Sequence, residues 1–282
     1  MGYKSIQPKV ALITGGSSGI GLAASCLFAS SGYRVAICGR DQQKLEAAVD
    51  TIRQSMPNGQ SQHGTTASSR SESSPSEFSP SEFSWDNAYA SMDREIMALA
   101  VDLNDPEQAI RFAHRAIAHF GQVDVLVNNA AIAPLANFEQ ISASDFEATI
   151  NTNHRSLFYL TQVVWAAMKI RSQQREPEQI VGTIVNISSM AAVDPFAGFS
   201  LYGASKAWLE LLTHALAIEG SESGIRVCAV RPGAVETPLL RGLFPDFPSD
   251  QCVSPANVAQ LVWRCVSEPN EFPSGQTFAI AR

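Results

Sequence analysis

The sequence predicts an α/β fold, doubly wound, in which helices cover both faces of a mostly parallel sheet of about seven strands. Three observations carry that prediction. Short apolar runs alternate with helical patterns along nearly the whole chain. The runs are almost continuously apolar, as strands buried on both faces must be. A glycine-rich turn joins the first run to the first helical pattern.

In chain order, "KVALIT" reads as a strand and "GLAASCLFASSG" as the helix after the glycine turn. "YRVAIC" and "DQQKLEAAVDTIRQ" repeat the pair, and "EIMALAVD" with "PEQAIRFAHRAIAHFG" repeats it again. "VDVLVNNAA" is a strand, followed by a long helical region from about 142 to 171. "GTIVNIS" leads to the helix after Ser200, and "IRVCAVRPG" is the next strand. "SPANVAQLVWRCV" is a helix opened by Ser254–Pro255, and "GQTFAIA" closes the series.

One segment, about 55–92, interrupts the pattern. Ser55 to Ser84 holds eleven serines, and "SPSEF" occurs twice in tandem. So little apolar surface cannot offset the entropy of ordering the chain. The expectation is a disordered surface insertion, tolerated more readily than selected as a docking or phosphorylation segment.

Composition excludes several classes. The 282 residues carry 20 Lys+Arg against 27 Asp+Glu, a net charge of −7, which leaves no basic surface for nucleic acid. Apolar residues, at 45%, suffice for a sizeable core. Cys26, Cys38, Cys228, Cys252 and Cys265 form no CxxC pair and read as small core residues in a reduced compartment. No run approaches the ~18 apolar residues of a membrane span. "MGYKSIQPKV" lacks a signal-peptide core, and Ile6 stands where myristoylation needs Ser or Thr. A cytoplasmic protein without membrane or nucleic-acid partners is expected. The histidines show no metal-ligand spacing, so no metal site is expected either.

Two stretches carry chemistry. In "TGGSSGIG", Gly15, Gly19 and Gly21 follow the first strand in G-x3-G-x-G spacing. That spacing gives a tight turn, a close backbone approach to a pyrophosphate, and room for the helix to pack. The helix N-terminus then offers N–H groups and partial positive charge to phosphates. In "SLYGASKAW", Tyr202 and Lys206 stand one helical turn apart with only small residues between them. Bringing a phenol from a pKa near 10 to about 7 takes roughly 4 kcal/mol. A cation about 4 Å away supplies that order at an effective dielectric near 20.

"TGGSSGIG" at 14–21, "NNAA" at 128–131 and "YGASK" at 202–206 together resemble the classical short-chain dehydrogenase/reductase family, in its order and over nearly the whole chain outside the insertion. The resemblance implies one NAD(P)-binding Rossmann-like domain over 1–282. It implies cofactor contacts from Gly15, Ser17, Ser18, Gly19, Ile20 and Gly21, from Asp102 and Leu103 after the third strand, and from Asn129 and Ala130, which with Asn128 leave the fourth strand beside the cofactor. It adds Pro232, Gly233, Val235 and Thr237 near the nicotinamide. Many members have glycine where this chain has Ala131. The family's acidic residue for NAD would fall at Gly39, and the arginine of NADP users at Arg40, so NADP(H) is expected over NAD(H).

The same resemblance implies a catalytic set of Asn153, Ser189, Tyr202 and Lys206. Tyr202 would act as acid, Ser189 would hold the carbonyl, Lys206 would lower the phenol pKa and bind ribose, and Asn153 would hold a relay water. Asn151 is the competitor for Asn153, and Ser188 faces away from Ser189 by strand alternation. The pattern looks most like 3-oxoacyl-(acyl-carrier-protein) reductases, with Arg155, Arg171 and Arg175 as candidates for carrier docking. Leu239, Leu240, Leu243, Phe244, Phe247, Ala191, Val193 and Phe196 suggest an apolar pocket for a hydrophobic carbonyl compound. Apolar surface on "LFYLTQVVWAAM" and "AWLELLTHALA" implies a homodimer or homotetramer. The alternative function is a weakly catalytic NADP(H) sensor that uses the serine-rich loop for protein contacts.

Overall fold

In the computed structural model, which describes residues 7–57, 89–174, 176 and 178–282, eight strands form one sheet. They are β1 (Val10–Thr14), β2 (Arg34–Gly39), β3 (Tyr89–Met92), β4 (Ile96–Ala100), β5 (Val125–Asn128), β6 (Gly182–Ile187), β7 (Ile225–Pro232) and β8 (Thr277–Ile280). The order is β3-β4-β2-β1-β5-β6-β7-β8. Seven strands run parallel, and the strand order reverses between β1 and β5. The eighth, β3, is an antiparallel edge that the sequence does not announce.

Each face of the sheet is covered, which is why the strands are apolar throughout. Ala11 and Ile13 of β1 pack with Phe28 of α1 (Gly19–Ser30), Leu45 of α2 (Gln42–Ser55) and Val262 of α8 (Pro255–Ser267). Val10 and Leu12 face the other way, onto Phe112 of α3 (Pro106–Phe120), Leu160 of α5 (Leu157–Ser172) and Ala217 of α6 (Ser200–Gly220). Starts follow the expected cap chemistry. Asp105 accepts from the Glu107 N–H ahead of Pro106, and Ser254 accepts from the Asn257 N–H ahead of Pro255.

The helical region expected from about 142 to 171 is continuous but not uniform: α4 (Ala143–Thr149) passes into a π-helical stretch, Ile150–Ser156, before α5 begins. Such stretches gather at functional sites, and this one carries Asn153. The interruption is shorter than 55–92. Arg53 of α2 pairs with Asp93 at 2.7 Å, and Asp93 Oδ1 accepts from the N–H groups of Glu95 and Ile96 at 2.9 and 2.7 Å. Those bonds fix the turn that returns β3 onto β4. Residues 58–88, with the tandem repeat, lie outside the described residues.

All five cysteines are free thiols, four of them buried. Among the described residues no helix is long and apolar enough to cross a membrane, and no cluster of side chains could hold a metal ion.

Candidate active site

The C-terminal ends of β1, β2, β4, β5, β6 and β7 open into one cleft of about 730 Å³, at the point where the strand order reverses. Ligands of doubly wound sheets sit at that point. Gly15 and Gly19 take left-handed backbone, with φ of +67° and +53°. A Cβ on Gly21 would stand 2.2 Å from the Gly15 carbonyl oxygen, so α1 can begin this close to the turn only without a side chain there. Ser18 precedes α1 in extended conformation and makes no side-chain cap bond, and no acidic residue occupies the first turn. The N–H donors of that turn and the positive end of the helix remain for an anion. The cradle therefore fits a dinucleotide pyrophosphate.

The other cofactor candidates are distributed around this turn. Arg40 is exposed at the cleft wall and meets no carboxylate among the described residues. Its neighbour Asp41 is spent on α2, accepting from the Lys44 N–H at 3.1 Å. Asp102 lines the cleft, with Oδ1 taking the Asn104 N–H at 3.0 Å, beside Leu103. Asn129 donates from Nδ2 to the Thr14 carbonyl at 2.9 Å, and the Asn129 and Ala130 N–H groups both meet Thr14 Oγ1. Asn129 thus shapes the glycine turn with its amide. On the facing wall, Pro232, Gly233 and Val235 lead to Thr237, whose hydroxyl accepts from the Leu240 N–H at 3.3 Å and caps α7 (Pro238–Leu243). Its Cγ2 stands 3.0 Å from where a Gly19 Cβ would be, so the two walls meet there.

The structure brings Ser189, Tyr202 and Lys206 together at the cleft floor. α6 presents Tyr202 and Lys206 on one buried face. Lys206 Nζ donates to the Ile187 carbonyl at 2.7 Å and lies 5.7 Å from the centre of the Tyr202 ring. The Ser189 hydroxyl faces the Tyr202 phenol, near enough to favour its ionised form. Asn153 stands behind this group and does not line the cleft. Its Oδ1 accepts from the Ile132 N–H at 3.0 Å, and its Nδ2 donates to the Ile132 carbonyl and to Ser205 Oγ. Asn151 turns away, toward Asn104 and Arg155.

Burial pushes the Tyr202 phenol above its ordinary value, and the nearby Ser189 hydroxyl works against that rise. Burial also pushes the Lys206 ammonium down, to about 8. The expected depression of the phenol by Lys206 is therefore not produced by the chain alone. Desolvation acts on both groups, while the ammonium gives its bond to a backbone carbonyl.

The substrate end is apolar. Phe196 and Phe199 rings lie 4.4 Å apart, Phe244 lies 5.9 and 6.0 Å from them, and Phe199 meets the Tyr202 ring edge-on at 5.2 Å. Leu239, Leu240, Leu243 and Phe247 add to this wall, and Asp194 is its one charged residue among those described. Val193 is exposed and lies off the lining.

Sequence reasoning missed three features. Phe199 and Asp194 join the pocket from a loop without periodicity. Asn128 leaves the cofactor side. It donates to Thr161 Oγ1 at 3.0 Å and to Asn186 Oδ1 at 2.9 Å, and Asn186 passes the chain on to Thr213. Ser188 lines the cleft beside Ser189, but its hydroxyl turns to Glu210, a lone acid within an apolar helix stretch that could have drawn notice.

The short chain dehydrogenase family pattern matches residues 9–79 and 81–247. An acetoacetyl-CoA reductase of Acinetobacter sp. is 36% identical over 204 residues, covering 70% of this chain and 79% of that protein. The 3-oxoacyl-(acyl-carrier-protein) reductase FabG of Thermotoga maritima is 28% identical over 283 residues, covering 98% and 97%. A solved 3-ketoacyl-(acyl-carrier-protein) reductase from Brucella melitensis, complexed with NADH, has a TM-score of 0.74 at 26% identity, covering 98% of both chains. A Burkholderia cenocepacia short chain dehydrogenase in complex with NADP also scores 0.74, at 27% identity, covering 99% and 98%. With the glycine cradle at one end of the cleft and the tyrosine, lysine and serine at its floor, this chain belongs to the short-chain dehydrogenase/reductase family and is an NAD(P)-dependent oxidoreductase acting on CH–OH groups.

Proposed function

We propose that the protein is an NADP(H)-dependent carbonyl reductase whose reacting centre is Ser189, Tyr202 and Lys206, supported by Asn153. The observation that carries this reading is the grouping of the Ser189 hydroxyl, the Tyr202 phenol and the Lys206 ammonium on the floor of the glycine-turn cleft, with the ammonium 5.7 Å from the centre of the phenol ring. When bound, the nicotinamide supplies or accepts the hydride. Ser189 donates to the carbonyl oxygen and holds it against Tyr202. Tyr202 gives its phenolic proton to that oxygen as it becomes an alkoxide, and takes it back in the reverse direction. A phenol held above its ordinary pKa stays protonated at neutral pH, the form that reduction needs. Lys206 keeps positive charge beside the phenol and has further N–H donors for ribose hydroxyls. Asn153 locks the loop at Ile132, part of the cleft lining, to α6 at Ser205.

The preference for NADP(H) rests on Arg40, a cation on the cleft wall that meets no carboxylate among the described residues, and on Gly39, where a Cβ would come 2.7 Å from Ser17 Oγ. For substrate, the aromatic wall favours a hydrophobic carbonyl compound. A carrier-protein link has less support: Arg155 is bound to Glu147 and Asn151, Arg171 is held by Asp124, and Arg175 lies outside the described residues. Exposed Phe158 and Tyr159 on α5, with Leu211 and Ile218 on α6, favour self-association as a homodimer or homotetramer. A panel of ketones and 3-oxoacyl thioesters, offered with NADPH and with NADH, tests the reading. Reduction is expected, with NADPH the better donor. Tight NADPH binding without reduction of any of them would instead favour the sensor.

A further inference from the structure

Glu210 lies on α6 one turn beyond Lys206 and two beyond Tyr202, with its side chain 14% exposed. Both carboxylate oxygens are engaged. Oε1 accepts from the Ser188 hydroxyl at 2.6 Å and from Arg231 Nε at 2.8 Å, and Oε2 accepts from the other arm of the same guanidinium. Ser188 precedes Ser189, and Arg231 precedes Pro232. Two successive residues at the end of β6 are thus held by successive turns of α6. Lys206 takes the Ile187 carbonyl and Glu210 the Ser188 hydroxyl, and Ser189 follows directly, facing the Tyr202 phenol. Arg231 adds the end of β7, just before the segment that forms the facing wall of the cleft.

A two-armed arginine–carboxylate pair at this exposure adds some stability wherever it sits. Its location gives it more to do. Its attachments flank the reacting centre on both sides, while neither Glu210 nor Arg231 lines the cleft. An acceptor that joins one helix to two strand ends fixes three parts of the site relative to one another, and catalysis is sensitive to displacements of about 1 Å. We infer that Glu210 is a positioning residue: through Ser188 and Arg231 it holds the Ser189 hydroxyl and the Pro232–Gly233 turn in register with Tyr202, given the roles proposed for Ser189 and Tyr202.

The test uses the full chain with NADPH, with acetoacetyl-CoA and ethyl acetoacetate as probes, in the wild type, Glu210→Ala, Glu210→Gln and Arg231→Ala. Glu210→Ala should lower kcat about 10- to 100-fold with the KM for NADPH little changed. Glu210→Gln, which still accepts from Ser188, should recover much of that loss. Combining Glu210→Ala with Arg231→Ala should cost scarcely more than either alone, because the two act as one unit. If Glu210→Ala does not fold, Ser188→Ala removes the hydroxyl link by itself and should still lower kcat at unchanged KM for NADPH. A lowered melting temperature with wild-type kcat in these variants overturns the inference and leaves a structural ion pair. A wild type that binds NADPH and reduces neither probe contradicts the carbonyl-reductase reading itself, and this inference with it.

Discussion

The two ends of the cleft are built by different means. At the cofactor end the backbone does the shaping: Gly15 and Gly19 are left-handed, Gly21 sits against the Gly15 carbonyl, and Thr14 Oγ1 gathers two N–H groups. At the substrate end side chains do it, with three phenylalanine rings, four other apolar residues from α7 and its loop, and one carboxylate. The first end has no room for one more carbon atom. The second leaves Phe196 53% exposed and can repack around a different ligand. The contrast teaches that the class of cofactor is set where backbone geometry is fixed, and the substrate where only side chains decide.

Gly21→Ala should break the contrast most severely. Its Cβ would meet backbone that cannot move aside, so NADPH affinity should fall by about 100-fold or more, with a lower melting temperature from an overpacking cost of about 1–3 kcal/mol. Fluorescence titration with NADPH and a thermal melt check both. A tolerant Gly21→Ala would mean that the cofactor end is as adaptable as the substrate end. Arg40→Asp sharpens the comparison within the cofactor end. Loss of a charge-assisted contact should reduce kcat/KM for NADPH about 10- to 100-fold while NADH gains. Equal use of the two cofactors by the wild type would remove the role given to Arg40. Phe244→Ala should be the mildest. It should raise KM for an aromatic ketone several-fold and leave NADPH binding unchanged, since the ring belongs to the pocket wall alone. Weakened NADPH binding in that variant would show that the two ends are not separable.

The same difference decided what could be read from the sequence. The strands were legible because burial on both faces forces continuous apolar runs, and the glycine turn was legible because its spacing is a backbone requirement. Tyr202 and Lys206 could be paired because four residues make about one helical turn. Asn153 was placed in the right element, but the π-helical stretch around it was invisible, since no composition distinguishes it from ordinary helix. The edge strand β3 escaped because it is short and held by Asp93 and Arg53, a turn and an ion pair rather than an apolar pattern. Asn128 was assigned to the cofactor side, although alternation at the end of β5 sends it into the polar chain with Asn186. Phe199 and Asp194 come from a loop, where sequence carries no period to follow.

The proposed chemistry turns on the Tyr202 hydroxyl. Tyr202→Phe removes one oxygen and keeps the ring that packs on Phe199. The direct measurement is NADPH oxidation against a panel of carbonyl substrates, wild type beside Tyr202→Phe, with NADPH affinity and melting temperature recorded for both. Turnover should fall about 10²–10⁴-fold, as for loss of a positioned acid–base group, while affinity and stability stay close to wild type. Near-normal turnover in Tyr202→Phe would contradict the account at its centre, and the proton would have to come from elsewhere in the cleft.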